Sequence, residues 1–206
     1  MAPAFLHRYF EEAADIARRL EIALIDRMVE RLVRLRDEGG RLFLCGVGGS
    51  AANCSHAVND FRKLAGIEAY TPVDNVAELT ARANDEGWET VFAAWLATSR
   101  AGARDVLFVL SVGGGSRERR ISTNLVAAID EAKARRMDVL GIVGRDGGYT
   151  KERGDLVLVI PTVNEACVTP HAEAFQAVVW HAMVSDPRLM IHGNKWETAT
   201  APAAHP

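Results

Sequence analysis

The sequence predicts an α/β protein, a three-layer sandwich in which a central parallel sheet is flanked by helices. Three observations predict it. Short apolar runs alternate with helical patterns from residue 41 onward, the signature of βαβ units. Three of these runs end in glycine-bearing or polar turns, at 46–50, 111–116 and 144–148, and open parallel sheets place their ligand sites at such turns. With 206 residues, 49% hydrophobic and 25% charged, the chain can bury one substantial core beneath an ordinary polar surface.

The elements follow in order. From residue 4 to 37, Ile16, Leu20, Leu24, Met28, Leu32 and Leu35 recur at three- and four-residue steps, and Gly39-Gly40 ends the pattern. This predicts one helix of over 30 residues within the N-terminal segment 1–38. That length exceeds the usual three turns, so the helix is expected to pack against a second copy of the chain as well as its own domain. Strands are predicted at 41–45, 105–110, 139–143 and 156–160, and helices at 51–64, 76–83, 89–98, 121–135 and 170–185. Residues 1–197 read as a single domain, and the Ala-, Pro- and Thr-rich residues 198–206 as a disordered tail.

A net charge of −3 with no basic stripe gives no reason to expect nucleic acid as a partner. No apolar run approaches the roughly 20 residues that cross a bilayer, so no membrane partner is expected. The first residues reach Glu11 and Glu12 without a signal-peptide apolar core. Cys45, Cys54 and Cys167 are odd in number and lack metal-knuckle spacing, which fits reduced thiols in the cytoplasm.

Four features carry chemistry. The first is the turn Gly46-Val47-Gly48-Gly49-Ser50 between a strand and a helix, where backbone N–H groups can meet an anionic or polyhydroxyl ligand and Ser50 can cap the helix. Its spacing is neither that of a dinucleotide fold nor of a Walker loop. The second is Ser111-Val112-Gly113-Gly114-Gly115-Ser116-Arg117-Glu118-Arg119-Arg120, whose glycines, serines and arginines suit a phosphate cradle. The third is His56 with Asp60, four residues apart on one helix face, a spacing open to a local hydrogen bond, a shared metal or proton chemistry. The last helix forms the fourth, with His171, Glu173, Gln176 and His181. Glu173 and His181 lie about 12 Å apart along a helix axis. Spacing alone therefore leaves them unassigned, and on this otherwise apolar helix His181 reads rather as a buried, hydrogen-bonded core histidine.

The segment from Gly46 to His56 resembles the Gly-Asn-Gly-Gly-Ser-Ala-Ala-Asp-x-x-His segment of bacterial phosphoheptose isomerases, members of the sugar isomerase (SIS) family. Further collinear matches run from Leu79 through Asn84-Asp85-Glu86-Gly87 to Phe92, from Ala128 to Lys133, and from Gly144 to Gly148. The resemblance covers nearly the whole chain. It implies a flavodoxin-like SIS fold, a homotetramer with sites between subunits, and an aldose–ketose isomerase of sedoheptulose 7-phosphate. The product would be D-glycero-D-manno-heptose 7-phosphate, an early intermediate of nucleotide-activated heptose for surface polysaccharide. The family's divalent metal, zinc, would fall on His56, Asp60, Glu173 and His181. Its sugar contacts would fall on Val47, Gly48, Gly49, Asn84 and Asp85, with Ser50 and Glu173 beside them. Its phosphate loop would fall on Ser111, Val112, Gly113 and Ser116, with Ser122 an alternative for the last serine.

The chain departs from the family in three places. Asp60 stands for a glutamate, roughly 1.5 Å shorter in reach, a displacement that can cost about 10²-fold in rate. Glu173 stands for a glutamine and adds negative charge. The phosphate loop loses two hydroxyls at Val112 and Gly113 and gains about six residues, 115–120, whose arginines are expected to replace the lost donors. Asp60 is expected to act as the catalytic base and His181 as the opposing acid/base across an enediol. Two alternatives stand beside this reading: an isomerase of another phosphosugar, and a non-catalytic phosphosugar-binding or adaptor protein.

Overall fold

The computed structural model describes residues 2–193 and 195–196. The tail expected to be disordered, 198–206, lies outside the described residues. Five parallel strands form one sheet: β1 (Arg41–Cys45), β2 (Glu68–Tyr70), β3 (Val106–Ser111), β4 (Asp138–Val143) and β5 (Leu156–Val159). Their order is β2-β1-β3-β4-β5, the flavodoxin-like order with its switch point between β1 and β3. Helices α1 (Ala2–Arg19), α2 (Ile22–Asp37), α3 (Gly49–Lys63), α4 (Val76–Asp85), α5 (Val91–Thr98), α6 (Thr123–Ala134), α7 (Gly148–Arg153) and α8 (Val168–Val184) complete the chain.

The central strands β1, β3 and β4 are buried on both faces, so their side chains divide alternately between two cores. Leu42 and Leu44 of β1, with Val106, Phe108 and Leu110 of β3, face α2, α3 and α8. Phe43, Cys45, Leu107 and Val109 face α5 and α6. Cys45 pairs with Val109 across the switch point, so the turns that follow β1 and β3 emerge side by side.

Three elements differ from expectation. The N-terminal helix is two helices, broken at Leu20–Glu21, although the apolar period runs through the break without Gly or Pro. The bend lets α2 lie on the sheet while α1 turns toward the start of α8, where Glu12 and Tyr9 meet His171. A tertiary contact overrides a local pattern here. The short edge strand β2 and the single-turn α7 were not expected. Three residues that alternate exposed, buried, exposed give too little period to read.

Candidate active site

At the carboxyl end of β1 the chain passes Gly46 and turns at Gly48, whose φ of +63° is readily adopted only by glycine. Helix α3 starts at Gly49, and its cap is Gly48 with no side-chain bond. Ser50 therefore does not cap the helix. It is 1% exposed, and its hydroxyl accepts a hydrogen bond from Gln176 Nε2 of α8 at 3.0 Å. Asn53 donates to Gln176 Oε1 at 2.9 Å and to the Glu173 carbonyl at 3.0 Å. These bonds fix α3 against α8 at the depth of the glycine turn. Val47, Gly48 and Gly49 stay exposed on the outer side of that turn.

Farther along the same pair of helices, the structure brings His56, Asp60 and His181 together, with one ligand atom of each within 4.8 Å of the others. Asp60 Oδ2 lies 3.7 Å from His56 Nε2 and 3.6 Å from His181 Nε2. The other carboxylate oxygen, Oδ1, accepts from Asn59 Nδ2 at 2.7 Å. His181 Nδ1 lies 2.8 Å from the Ala177 carbonyl, which can only accept, so that nitrogen carries the proton and the neutral ring presents a lone pair at Nε2. Trp180 packs edge-on to His56 and stacks on His181, limiting both rings. The Asp60 side chain is 13% exposed and the two imidazoles about half exposed. His181, which the apolar helix pattern alone would have placed in the core, lies on the α3 side of α8 at the surface.

Two imidazole nitrogens and a carboxylate oxygen, with further positions open, suit a catalytic zinc, and the bonds from His181 Nδ1 and to Asp60 Oδ1 are the outer partners such ligands use. Glu173, expected as a fourth ligand, is not in this group. Its carboxylate lies over Gly49, 2.5–2.7 Å from where a Cβ at that glycine would sit, and so occupies the positive end of α3.

At the end of β3, Ser111 Oγ accepts from the Gly114 N–H at 3.0 Å. Gly114 and Gly115 take φ of +69° and +80°, and the loop packs onto Gly147 and Gly148 so closely that a Cβ at Gly114 or Gly148 would meet backbone carbonyls. Thr150 seals the joint, donating to the Gly114 carbonyl from its N–H and its hydroxyl. The inserted residues close on themselves: Ser116 and Ile121 exchange two backbone bonds, and Ser116 Oγ accepts from the Arg119 N–H. Arg117 does not serve as a replacement donor. It binds Asp130 at 2.5 Å and the Tyr149 hydroxyl at 2.7 Å. Burial, and then the bond to Asp130, push the Tyr149 phenol up, so it stays a neutral donor. Arg119 and Arg120 are exposed. Val112 and Gly113 are half-buried on the rim, and Ser122 takes a left-handed conformation at the start of α6. Asn84 and Asp85 lie exposed at the end of α4 and bond to each other at 2.7 Å.

Sequence reasoning did not single out Asn53, Asn59 or Trp180, and it named Gln176 among the polar residues of the last helix without giving it a role. Gln176 is three residues after Glu173 on a shared helix face, and a fully polar amide in an apolar helix was the available signal.

The SIS domain family model matches residues 8–144. A phosphoheptose isomerase of Roseiflexus sp. (strain RS-1) is 34% identical over 165 residues, which are 76% of this chain and 80% of that protein. The lincomycin biosynthesis protein LmbN of Streptomyces lincolnensis is also 34% identical, over 70% of this chain, which spans about half of that protein's length. Among solved structures, phosphoheptose isomerase GmhA from Neisseria gonorrhoeae superposes with a TM-score of 0.78 at 25% identity. That superposition covers 89% of this chain and 98% of GmhA. A phosphoheptose isomerase from Francisella tularensis, 22% identical with a TM-score of 0.77, shares the fold.

Proposed function

This chain belongs to the SIS domain family, and on that premise we propose that it is an aldose–ketose isomerase that converts D-sedoheptulose 7-phosphate to D-glycero-D-manno-heptose 7-phosphate through an enediol. The observation that carries the reading is the convergence of His56, Asp60 and His181 on α3 and α8, where α3 is the helix that starts at the glycine turn of the β1/β3 switch point.

The sugar phosphate is held by the exposed backbone of Val47, Gly48 and Gly49, with Ser50 contributing its N–H rather than its buried hydroxyl. The loop of Ser111, Val112, Gly113, Ser116 and Ser122 supplies dipoles for the phosphate, since the positive end of α3 already faces the Glu173 carboxylate. Glu173, Asn84 and Asp85 complete the sugar contacts. Asp60 Oδ2 takes the proton from C1 of the ketose while His181, entering as the imidazolium with Nδ1–H kept on the Ala177 carbonyl, gives its Nε2 proton to the oxygen on C2, and the enediol forms. His181 then removes the proton from the oxygen on C1 as Asp60 returns one to C2, and the aldose forms. The Asn59 bond and the His181–Ala177 bond orient these two groups. A zinc ion held by His56, Asp60 and His181, with Glu173 able to join only by leaving Gly49, would supply Lewis-acid polarisation of the two sugar oxygens.

Exposed Phe5, Leu6 and Phe10 on α1 and Ile22 at the start of α2 support self-association, a tetramer by family likeness. Three free cysteines support a reducing cytoplasm, and among the described residues no helix is long and apolar enough to cross a membrane. The product would enter nucleotide-activated heptose and surface polysaccharide synthesis. The identity to LmbN favours a second reading, in which a phosphosugar is isomerised for a small-molecule product.

The test is NMR of the purified protein with sedoheptulose 7-phosphate in D2O. An aldose carrying deuterium at C2 is expected. Saturable binding without turnover would make the protein a phosphosugar-binding module. Turnover of other phosphosugars alone would move the substrate.

A further inference from the structure

Away from the glycine turns, α1, the approach to α8 and α8 itself bring a second set of ligating atoms together. Glu12, Cys167 and His171 each offer one atom, all within 4.8 Å of one another. Cys167 caps α8 and His171 follows four residues later on the same face, while Glu12 reaches them from α1. The thiol is 7% exposed and the imidazole 4%, and the thiol makes no hydrogen bond among the described residues. His171 Nε2 lies 3.0 Å from Glu12 Oε2. The outer partners are already in place. Asn164 Nδ2 donates to the other carboxylate oxygen, Oε1, at 2.8 Å, and Tyr9 stacks on the imidazole at 4.4 Å and 21°. Glu12 is held below the ordinary carboxylate range, chiefly by the His171 bond, so it is anionic at neutral pH.

We propose that Glu12, Cys167 and His171 form a three-ligand zinc site that clips α1 onto α8. The donor set of thiolate, imidazole and carboxylate is one that zinc accepts tetrahedrally, with a water in the fourth position. Zinc would take the Nε2 position of a neutral His171, whose ring proton moves to Nδ1, and would displace the Cys167 thiol proton to solvent. Asn164 orients the carboxylate as an outer partner does. The clip would hold α1 where the break at Leu20–Glu21 directs it, with Glu12 and Tyr9 against His171. The inference does not rest on the isomerase reading.

The experiment is titration of the metal-free, fully reduced full-length protein with Co2+, followed by absorbance. The His56–Asp60–His181 group contains no sulfur, so a near-ultraviolet thiolate-to-cobalt charge-transfer band reports this site alone. The expected result is a saturable band worth one equivalent, lost in Cys167→Ala and Cys167→Ser but kept in Cys54→Ala and His56→Ala. Asn164→Ala should weaken the Co2+ affinity behind the band by about 10- to 100-fold. Circular dichroism identifies any variant that has not folded. A wild-type protein that saturates with Co2+ without the band, or a band that survives in both folded Cys167 variants, overturns the proposal.

Discussion

Replacing Gln176 by leucine removes the polar tie on which the site's geometry depends. The side chain is fully buried and makes two bonds, to Ser50 Oγ at 3.0 Å and from Asn53 Nδ2 at 2.9 Å. Each such bond contributes about 0.5–1.5 kcal/mol, and a buried group left unpaired costs about 1–3 kcal/mol. Asn53 keeps its bond to the Glu173 carbonyl, so the orphan is chiefly the Ser50 hydroxyl, and the added apolar contact of leucine offsets part of the loss. The net expectation is a destabilisation of about 2–4 kcal/mol. For a domain of this size that lowers the melting temperature by roughly 4–15 °C. The tie joins the helix that carries His56 and Asp60 to the helix that carries His181, and a shift of about 1 Å between them can lower turnover by about 10²-fold. The assays are thermal melting by circular dichroism and kcat at a temperature where the variant is folded. A Gln176→Leu protein that melts with the wild type and turns over at its rate would refute this account of the α3–α8 joint.

Other perturbations test other parts of the structure. Gly114→Ala puts a Cβ at φ +69° against the Gly147 carbonyl. A left-handed residue costs about 1–2 kcal/mol and overpacking about 1–3 kcal/mol, so a loss of about 2–5 kcal/mol in urea unfolding is expected, with a raised KM for the phosphosugar. An unchanged midpoint would mean that the loop is free to move. The Glu12 carboxyl is held low by His171, so the unfolded chain binds its proton first. The stability this adds is fully present above a glutamate's ordinary pKa of about 4.3 and is lost as pH falls through the folded-state value. Melting temperature should therefore drop more steeply with acid in the wild type than in Glu12→Gln, and parallel curves would count against the Glu12–His171 bond.

The sheet was legible because its strands are short apolar runs punctuated by glycine turns. The helix break was not, because Leu20 and Glu21 fit a continuous helix and only the docking of Glu12 and Tyr9 on His171 bends the chain. At the site, the four-residue spacing of His56 and Asp60 survives in space because both lie on α3. His181 could be joined to them only through family likeness, since periodicity says nothing of which helix packs beside which. Glu173 shows the reverse: a position aligned with a ligand that the fold turns toward Gly49. Arg117 was read from its charge, but its partners Asp130 and Tyr149 lie 13 and 32 residues away, beyond any local pattern.

The most direct test of the central claim is kcat on sedoheptulose 7-phosphate for the wild type, Asp60→Asn and His181→Ala. Each substitution leaves the buried α3–α8 joint in place and removes one proton-transfer group, a contribution of about 10²- to 10⁴-fold. The account predicts conversion by the wild type and a loss of that size in each folded variant. Turnover that survives in both variants would contradict it.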